Sequence, residues 1–259
     1  METPIRTRGT LRAAMIAAGA LVATACQGPG GPSLYVYGGA PACKRAAARV
    51  PKSLEASLDP LVEAFDRHSN VPRMVVLMPH VGCERGAEIL RTEVLEAYPD
   101  ADLRLFVIWQ DLFRNGNPAA AKRASRHLDD DRVHAFHDCA GLAGRAFACG
   151  NLPVAEAREL FLFYPAGLTW PREALRPASM GVVTPQTESW VHQLDRVTPE
   201  RFCTAEQLPL AIRLTMSRLL EEAERRRVRL ARDRQASVER SVDSSRDRVY
   251  EPAPGNDLR

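Results

Sequence analysis

The sequence predicts an α/β fold: a sheet covered by helices on both faces, with a helical extension at the C-terminus. Three observations carry this. Residues 73–78 (Arg-Met-Val-Val-Leu-Met) form an apolar run without alternation, the pattern of a strand buried on both faces. A helical pattern follows, with Ala87, Leu90, Val94 and Leu95 spaced onto one face. A second apolar run at 103–109 (Leu-Arg-Leu-Phe-Val-Ile-Trp) completes a strand–helix–strand unit, whose strands are expected to be parallel.

The other elements follow in order. Residues 52–68 read as an amphipathic helix carrying Leu54, Leu58, Leu61, Val62 and Phe65, with a break near Pro60, which suits a first helical turn. After a loop at 110–117, Pro118 opens an Ala-rich helix to about 127. Residues 132–137 are a short strand, 139–149 a small helix, and 158–164 (Arg-Glu-Leu-Phe-Leu-Phe-Tyr) a further strand closed by Pro165. Residues 169–171 are expected to start an edge hairpin, 172–189 to be loop, and 190–194 to be a compact apolar cluster. Thr204 and Gln207 form a capping box ahead of Leu208, Ile212, Thr215, Met216 and Leu219 on one helical face. The pattern weakens into a charged stretch at 221–234, where acids interspersed with Arg mark a solvated helix.

The bulk numbers allow a real core but exclude little. Of 259 residues, 45% are hydrophobic, and a net charge of +3 argues neither for nor against nucleic acid, which is not an expected partner. Mean hydropathy is -0.25. The N-terminus stands apart. Arg6, Arg8 and Arg12 precede an apolar stretch at 13–22, too short to span a bilayer comfortably and suited to a signal peptide. It ends in Leu-Val-Ala-Thr-Ala-Cys, which resembles a bacterial lipobox, with Ala23 where Leu is usual. Acylation of Cys26 would tether the chain to a lipid membrane of the cell envelope, facing the periplasm, and the Gly/Pro-rich linker would stand it off the surface. Gln27 after the acylated Cys leaves the outer membrane open as its destination. The expected organisation is a signal peptide at 1–25, lipidated Cys26 and linker at 26–50, one domain at 51–200, a C-terminal helix at 201–236 and a disordered tail at 237–259.

Export also changes how the cysteines read. With Cys26 lipidated, five remain, an odd number in an oxidising compartment. Cys139 could pair with Cys149, and Cys43 with Cys203, which leaves Cys83 as the free thiol. Cys83 follows the first strand by a Gly-containing turn and opens a helix. A thiol there sits at the positive end of the helix dipole, with His80 three residues before it and Arg85 two after, a setting that lowers a thiol pKa.

The succession of strand, Cys at a helix start, helix, strand, helix, strand, helix and strand resembles the thioredoxin-like fold. The likeness covers about residues 70–195. Leu105-Phe-Val-Ile-Trp109, Asp131-Arg-Val-His-Ala-Phe-His-Asp138, Glu159-Leu-Phe-Leu-Phe-Tyr164 and Ser189-Trp-Val-His-Gln-Leu194 look like an exported thioredoxin-like family of uncharacterised bacterial proteins. The resemblance implies a three-layer α/β/α sandwich with Cys83 at the active-site corner. Two departures stand out. Gly86 replaces the second Cys of Cys-x-x-Cys, the thiol that would resolve a mixed disulfide. The family's cis-Pro has only Pro153 as a candidate, several residues early.

Two function classes remain open. One is a monothiol redox protein acting through Cys83, with His80 and Arg85 as its neighbours. The other is a non-catalytic thioredoxin-like lipoprotein that binds or assembles an envelope partner. A protein thiol or an envelope protein would be the partner, and no cofactor is expected. His80, Cys83, His134, His137 and Cys139 are metal-binding types; His134 and His137 fall on opposite faces of a strand, while His137 and Cys139 would share one, so a metal-binding protein is the lesser alternative and no metal ligands are assigned.

Overall fold

The computed structural model describes residues 50–113, 117–148, 152, 154–171, 184–194, 197 and 199–248, with side chains to 240. The predicted leader, Cys26, Cys43, Cys149 and Pro153 lie outside the described residues. The protein is α/β, built on a mixed six-stranded sheet among those residues. Its strands are β1 (Lys52–Ser53), β2 (Arg73–Pro79), β3 (Arg104–Gln110), β4 (Val133–Asp138), β5 (Leu160–Tyr164) and β6 (Trp190–His192). Its α-helices are α1 (Asp59–Arg67), α2 (Glu84–Leu90), α3 (Pro118–Ser125), α4 (Leu142–Ala148) and α5 (Leu208–Arg248). The strand order is β1-β4-β3-β2-β5-β6. The pairs β1–β4, β4–β3 and β3–β2 are parallel, while β5 runs antiparallel to β2 and β6 antiparallel to β5.

Strand alternation sorts the core into two layers. Met74, Val76 and Met78 of β2 join Leu105, Val107 and Trp109 of β3 in a cluster covered by Ala87 and Leu90 of α2, Ala121 of α3, and Leu208, Ile212, Met216 and Leu219 of α5. Val75 and Leu77 face the other way, against Leu61 and Phe65 of α1 and Ala143 and Phe147 of α4. Strand β2 is thus covered on both sides, as its unbroken apolar run predicts.

Several expectations shift. Residues 52–53 pair with β4 rather than joining a helix, and α1 begins only at Asp59, with Pro60 in its first turn. Among the described residues, 169–171 form no hairpin. Trp170 is instead core, edge-on to Phe65 at 5.6 Å and Phe147 at 5.8 Å, its backbone N–H donating to Asp66 at 2.6 Å. The apolar cluster at 190–194 contributes β6. Helix α5 runs past the expected end at 236 to Arg248, into the stretch read as disordered. Its capping box forms as predicted, with Thr204 N–H donating to Gln207 Oε1 at 3.1 Å and Gln207 N–H to Thr204 Oγ1 at 3.3 Å.

The helix after Cys83 widens into a π-helix over Arg91–Glu96, and two side chains near it are held to α5. Buried Glu93 accepts from Arg213 Nε at 2.5 Å, and the Tyr98 hydroxyl meets Ser217 Oγ at 2.8 Å. Arg132 closes this helix's C-terminal end, donating to the carbonyls of Tyr98 at 2.6 Å and Leu95 at 2.9 Å. Asp130 holds the same guanidinium at 2.8 Å and is itself kept below the usual carboxylate range, chiefly by that hydrogen bond.

Arg73, at the start of β2, is wholly buried. Its guanidinium donates to the carbonyls of Phe65 at 2.9 Å, Pro165 at 3.2 Å and Leu168 at 2.8 Å, and lies 3.9 Å from the centre of the Phe65 ring. Burial lowers its pKa to about 10.

Candidate functional site

At the other end of β2 the chain turns from Pro79 into α2. Gly82 in that turn adopts φ 69°, a left-handed conformation that costs a glycine nothing. Cys83 follows, and its carbonyl accepts from the Ala87 N–H at 2.8 Å, the bond that starts the helix. The thiol is 4% exposed, with Sγ 3.5 Å from the His80 carbonyl. It lines a pocket of about 160 Å³ together with buried Met78, Ile89 and Phe161. Exposed Arg85 and half-buried Glu159, Gln193 and Ala205 also line it.

The setting does not make the acidic thiol that the spacing predicts. Burial pushes the Cys83 pKa up, the Glu84 carboxylate adds to this, and a backbone hydrogen bond opposes both. Desolvation of the thiolate therefore outweighs the backbone hydrogen bond.

The two expected neighbours have other tasks. His80 turns toward β3 and β4: its Nδ1 donates to the Gln110 carbonyl at 2.9 Å, and its ring stands edge-on to His137 at 6.3 Å. Arg85 donates to the Ala205 carbonyl at 3.2 Å and so ties α2 to the turn entering α5.

The position of the missing second Cys is filled from below. A Cβ on Gly86 would lie 2.9 Å from Met78 Sδ. On the sheet side, the residue before β5 is Glu159, whose φ of 46° makes it the one non-glycine with positive φ among the described residues. Its carbonyl accepts from the Gln193 N–H at 3.2 Å, bringing both residues to the pocket. No peptide bond among the described residues is cis. Met78 and Glu159 were not marked by the sequence as site residues. A Pro-terminated strand and a Glu before an apolar run carry no signal of a shared cavity.

The histidines separate as strand alternation requires. His134 stacks on Phe106 at 5.1 Å and lies tilted against His68 at 4.7 Å, while His137 meets His80. Among the described residues no three metal-ligating side chains gather. His137 is 4% exposed and its Nε2 has no hydrogen-bond partner. Burial, then the nearby His80, lowers its pKa. Next to it, Asp138 caps α4, accepting from the N–H groups of Leu142, Ala143 and Gly144 at 2.8, 2.9 and 3.2 Å. Burial nonetheless pushes its carboxyl up.

Cys83, Cys139 and Cys203 carry free thiols. The partners expected for Cys139 and Cys203 lie outside the described residues. Burial raises the pKa of both.

No family model matches the chain, and no curated protein or solved structure was found to match it. Among the described residues no helix is long and apolar enough to cross a membrane.

Proposed function

We propose that the protein is a thioredoxin-like monothiol protein of the bacterial envelope, tethered by an acylated Cys26, whose Cys83 thiol attacks a partner disulfide, forming a mixed disulfide with one of its sulfurs and releasing the other as a thiol. The observation that carries this reading is the placement of Cys83 in a pocket at the strand–helix corner of a central strand, with the second motif position closed by Met78. Strand β2 has parallel β3 on one side and antiparallel β5 on the other, with helices on both faces, an arrangement compatible with the thioredoxin-like resemblance.

The chemistry suits capture better than turnover. No resolving thiol stands at the motif, so a mixed disulfide would persist until an outside thiol attacks it. A high-pKa thiol is also a poor leaving group, which slows attack on the partner's sulfur. Cys83 would form the bond slowly at neutral pH and hold it.

A second reading, a non-catalytic binding protein, is favoured by the same burial, which would leave Cys83 inert. Alkylation separates the two. Under the thiol reading, iodoacetamide modifies Cys83 in the folded protein, with a rate that keeps rising beyond the ordinary thiol value of about 8.5. Protection of Cys83 across that whole range, with alkylation only after unfolding, would sink the thiol reading and leave the binding one.

A further inference from the structure

Helix α5 outruns the core it packs on. Its first turns are buried through Leu208, Ile212, Met216 and Leu219, while residues 224–240 are exposed throughout. Charge sets that exposed stretch apart. Residues 225–240 hold seven arginines against Asp233 and Glu239, a charge of +5, whereas the whole chain carries +3, so all other residues together sum to -2. The acids Glu221, Glu222 and Glu224 stop where these arginines begin. We infer that α5 carries a docking face for an anionic phospholipid surface, on which Arg218, Arg225, Arg229 and Arg232 meet the headgroup phosphates.

The helix period aligns the four. At 3.6 residues per turn they fall within a sector of about 60°, turned roughly 125° from the face that Leu208, Ile212, Met216 and Leu219 bury, and they run along about 21 Å of the helix. No acidic residue between 208 and 240 enters that sector; Glu221 and Glu222 flank it. All four arginines are exposed. Arg225 has Glu221 at 3.8 Å, a solvent-exposed pair that holds little. Arg218, Arg229 and Arg232 have no ion-pair partner among the described residues.

Chemistry names the occupant. A row of guanidiniums, each a planar fork of N–H donors, is complementary to a surface of phosphates, and basic helix faces are drawn to anionic lipid. Val228, Leu230 and Val238 are exposed but lie on different sides of the helix, so the contact is with headgroups rather than by insertion of an apolar face. Phospholipid is chosen over nucleic acid because of the envelope tether proposed at Cys26, and that choice alone rests on the tether.

The mature polypeptide, residues 26–259 with Cys26→Ser so that no acyl chain forms, is sedimented with vesicles of phosphatidylcholine alone or with about 30% phosphatidylglycerol. Binding to the anionic vesicles at about 0.1 M salt, little binding to the neutral ones, and release at about 1 M salt are expected. Arg218→Gln, Arg225→Gln, Arg229→Gln and Arg232→Gln combined should weaken partitioning at least about tenfold, while Lys at the same four positions should keep it within about threefold. Gln at exposed Lys122, Arg123, Arg126 and Arg158, which removes the same charge elsewhere, should also stay within about threefold. Equal binding to both vesicles, full binding by the first Gln variant, or an equal loss in the charge-matched one would overturn the inference. Tighter binding to duplex DNA than to the anionic vesicles at equal phosphate would overturn it too. The tether is read separately, from the mass of the Cys26 peptide of wild-type protein taken from membranes: an unacylated Cys26 would remove the tether, and the vesicle result would still decide the face.

Discussion

Met78 Sδ lies 2.9 Å from the position a Cβ on Gly86 would take. The thioether of a strand residue thus occupies the space that a second thiol would need, and the absent Cys is a matter of packing as well as of sequence. Met is unbranched and adaptable, so the space can be reopened. In Gly86→Cys, the new side chain has to displace Met78. In Gly86→Cys/Met78→Ala it does not. The double variant is expected to form a disulfide between Cys83 and the introduced thiol several-fold faster under the same glutathione buffer, read as the mass shift after alkylation of remaining thiols. Equal oxidation of the two variants would show that Met78 does not close the position.

The Arg73 guanidinium satisfies three backbone carbonyls at once. Arg73→Met keeps the bulk but leaves buried acceptors short of donors, at a cost on the order of 3 kcal/mol. Arg73→Lys keeps the charge and loses the planar fork, so its loss should fall between parent and Met variant. Urea unfolding gives both values. A Met variant as stable as the parent would refute the assignment.

His137 sets an acid dependence. Its folded pKa is lowered by burial and His80, against the opposing pull of Asp111, Asp138 and Glu55. As pH falls below the unfolded value of about 6.5, the unfolded chain takes up the proton first, so stability declines from there down to the lower folded pKa. In His137→Gln this part of the decline should vanish. Urea midpoints at neutral pH and near pH 5 test it: an unchanged difference between the two pH values would discard His137 as a source.

Helix α5 divides into a buried and an exposed half. Leu208, Ile212 and Met216 are fully buried, whereas residues 224–240 are exposed. Removal of residues 231–259 should change unfolding stability by less than about 0.5 kcal/mol and leave Cys83 alkylation unaltered. Met216→Ala should cost about 2–5 kcal/mol. A large loss on truncation would mean that the distal helix is braced by something beyond the Arg226 contact with the Ala166 carbonyl.

How much is legible in the sequence depends on periodicity. β2, β3 and β5 are marked by apolar runs because each is buried on at least one face, β4 by the shorter Val-His-Ala-Phe-His stretch, and the βαβ unit comes from the spacing of β2 and β3. β1 is lost because two residues carry no period, and Leu54 and Leu58 lend it a helical one. β6 is three residues long and reads only as an apolar cluster. The π-helix leaves no trace, since a widened turn uses the same residue types as an ordinary one. The strand–helix corner at Cys83 shows in the sequence, but the burial of the thiol does not, and burial decides the direction of its pKa. Arg73 looks like a flanking charge because the carbonyls that hold it lie at Phe65, Pro165 and Leu168, two of them more than ninety residues away.

That separation has a consequence for a growing chain. Until Pro165 has been synthesised, the cation at Arg73 lacks two of its three carbonyl partners, and until Leu168 it lacks one, so closing the sheet over it would strand a charge in the interior. The first two-thirds of the protein therefore cannot settle ahead of the rest. A gene split between α4 and β5 should give halves that stay open when expressed alone and close only when mixed.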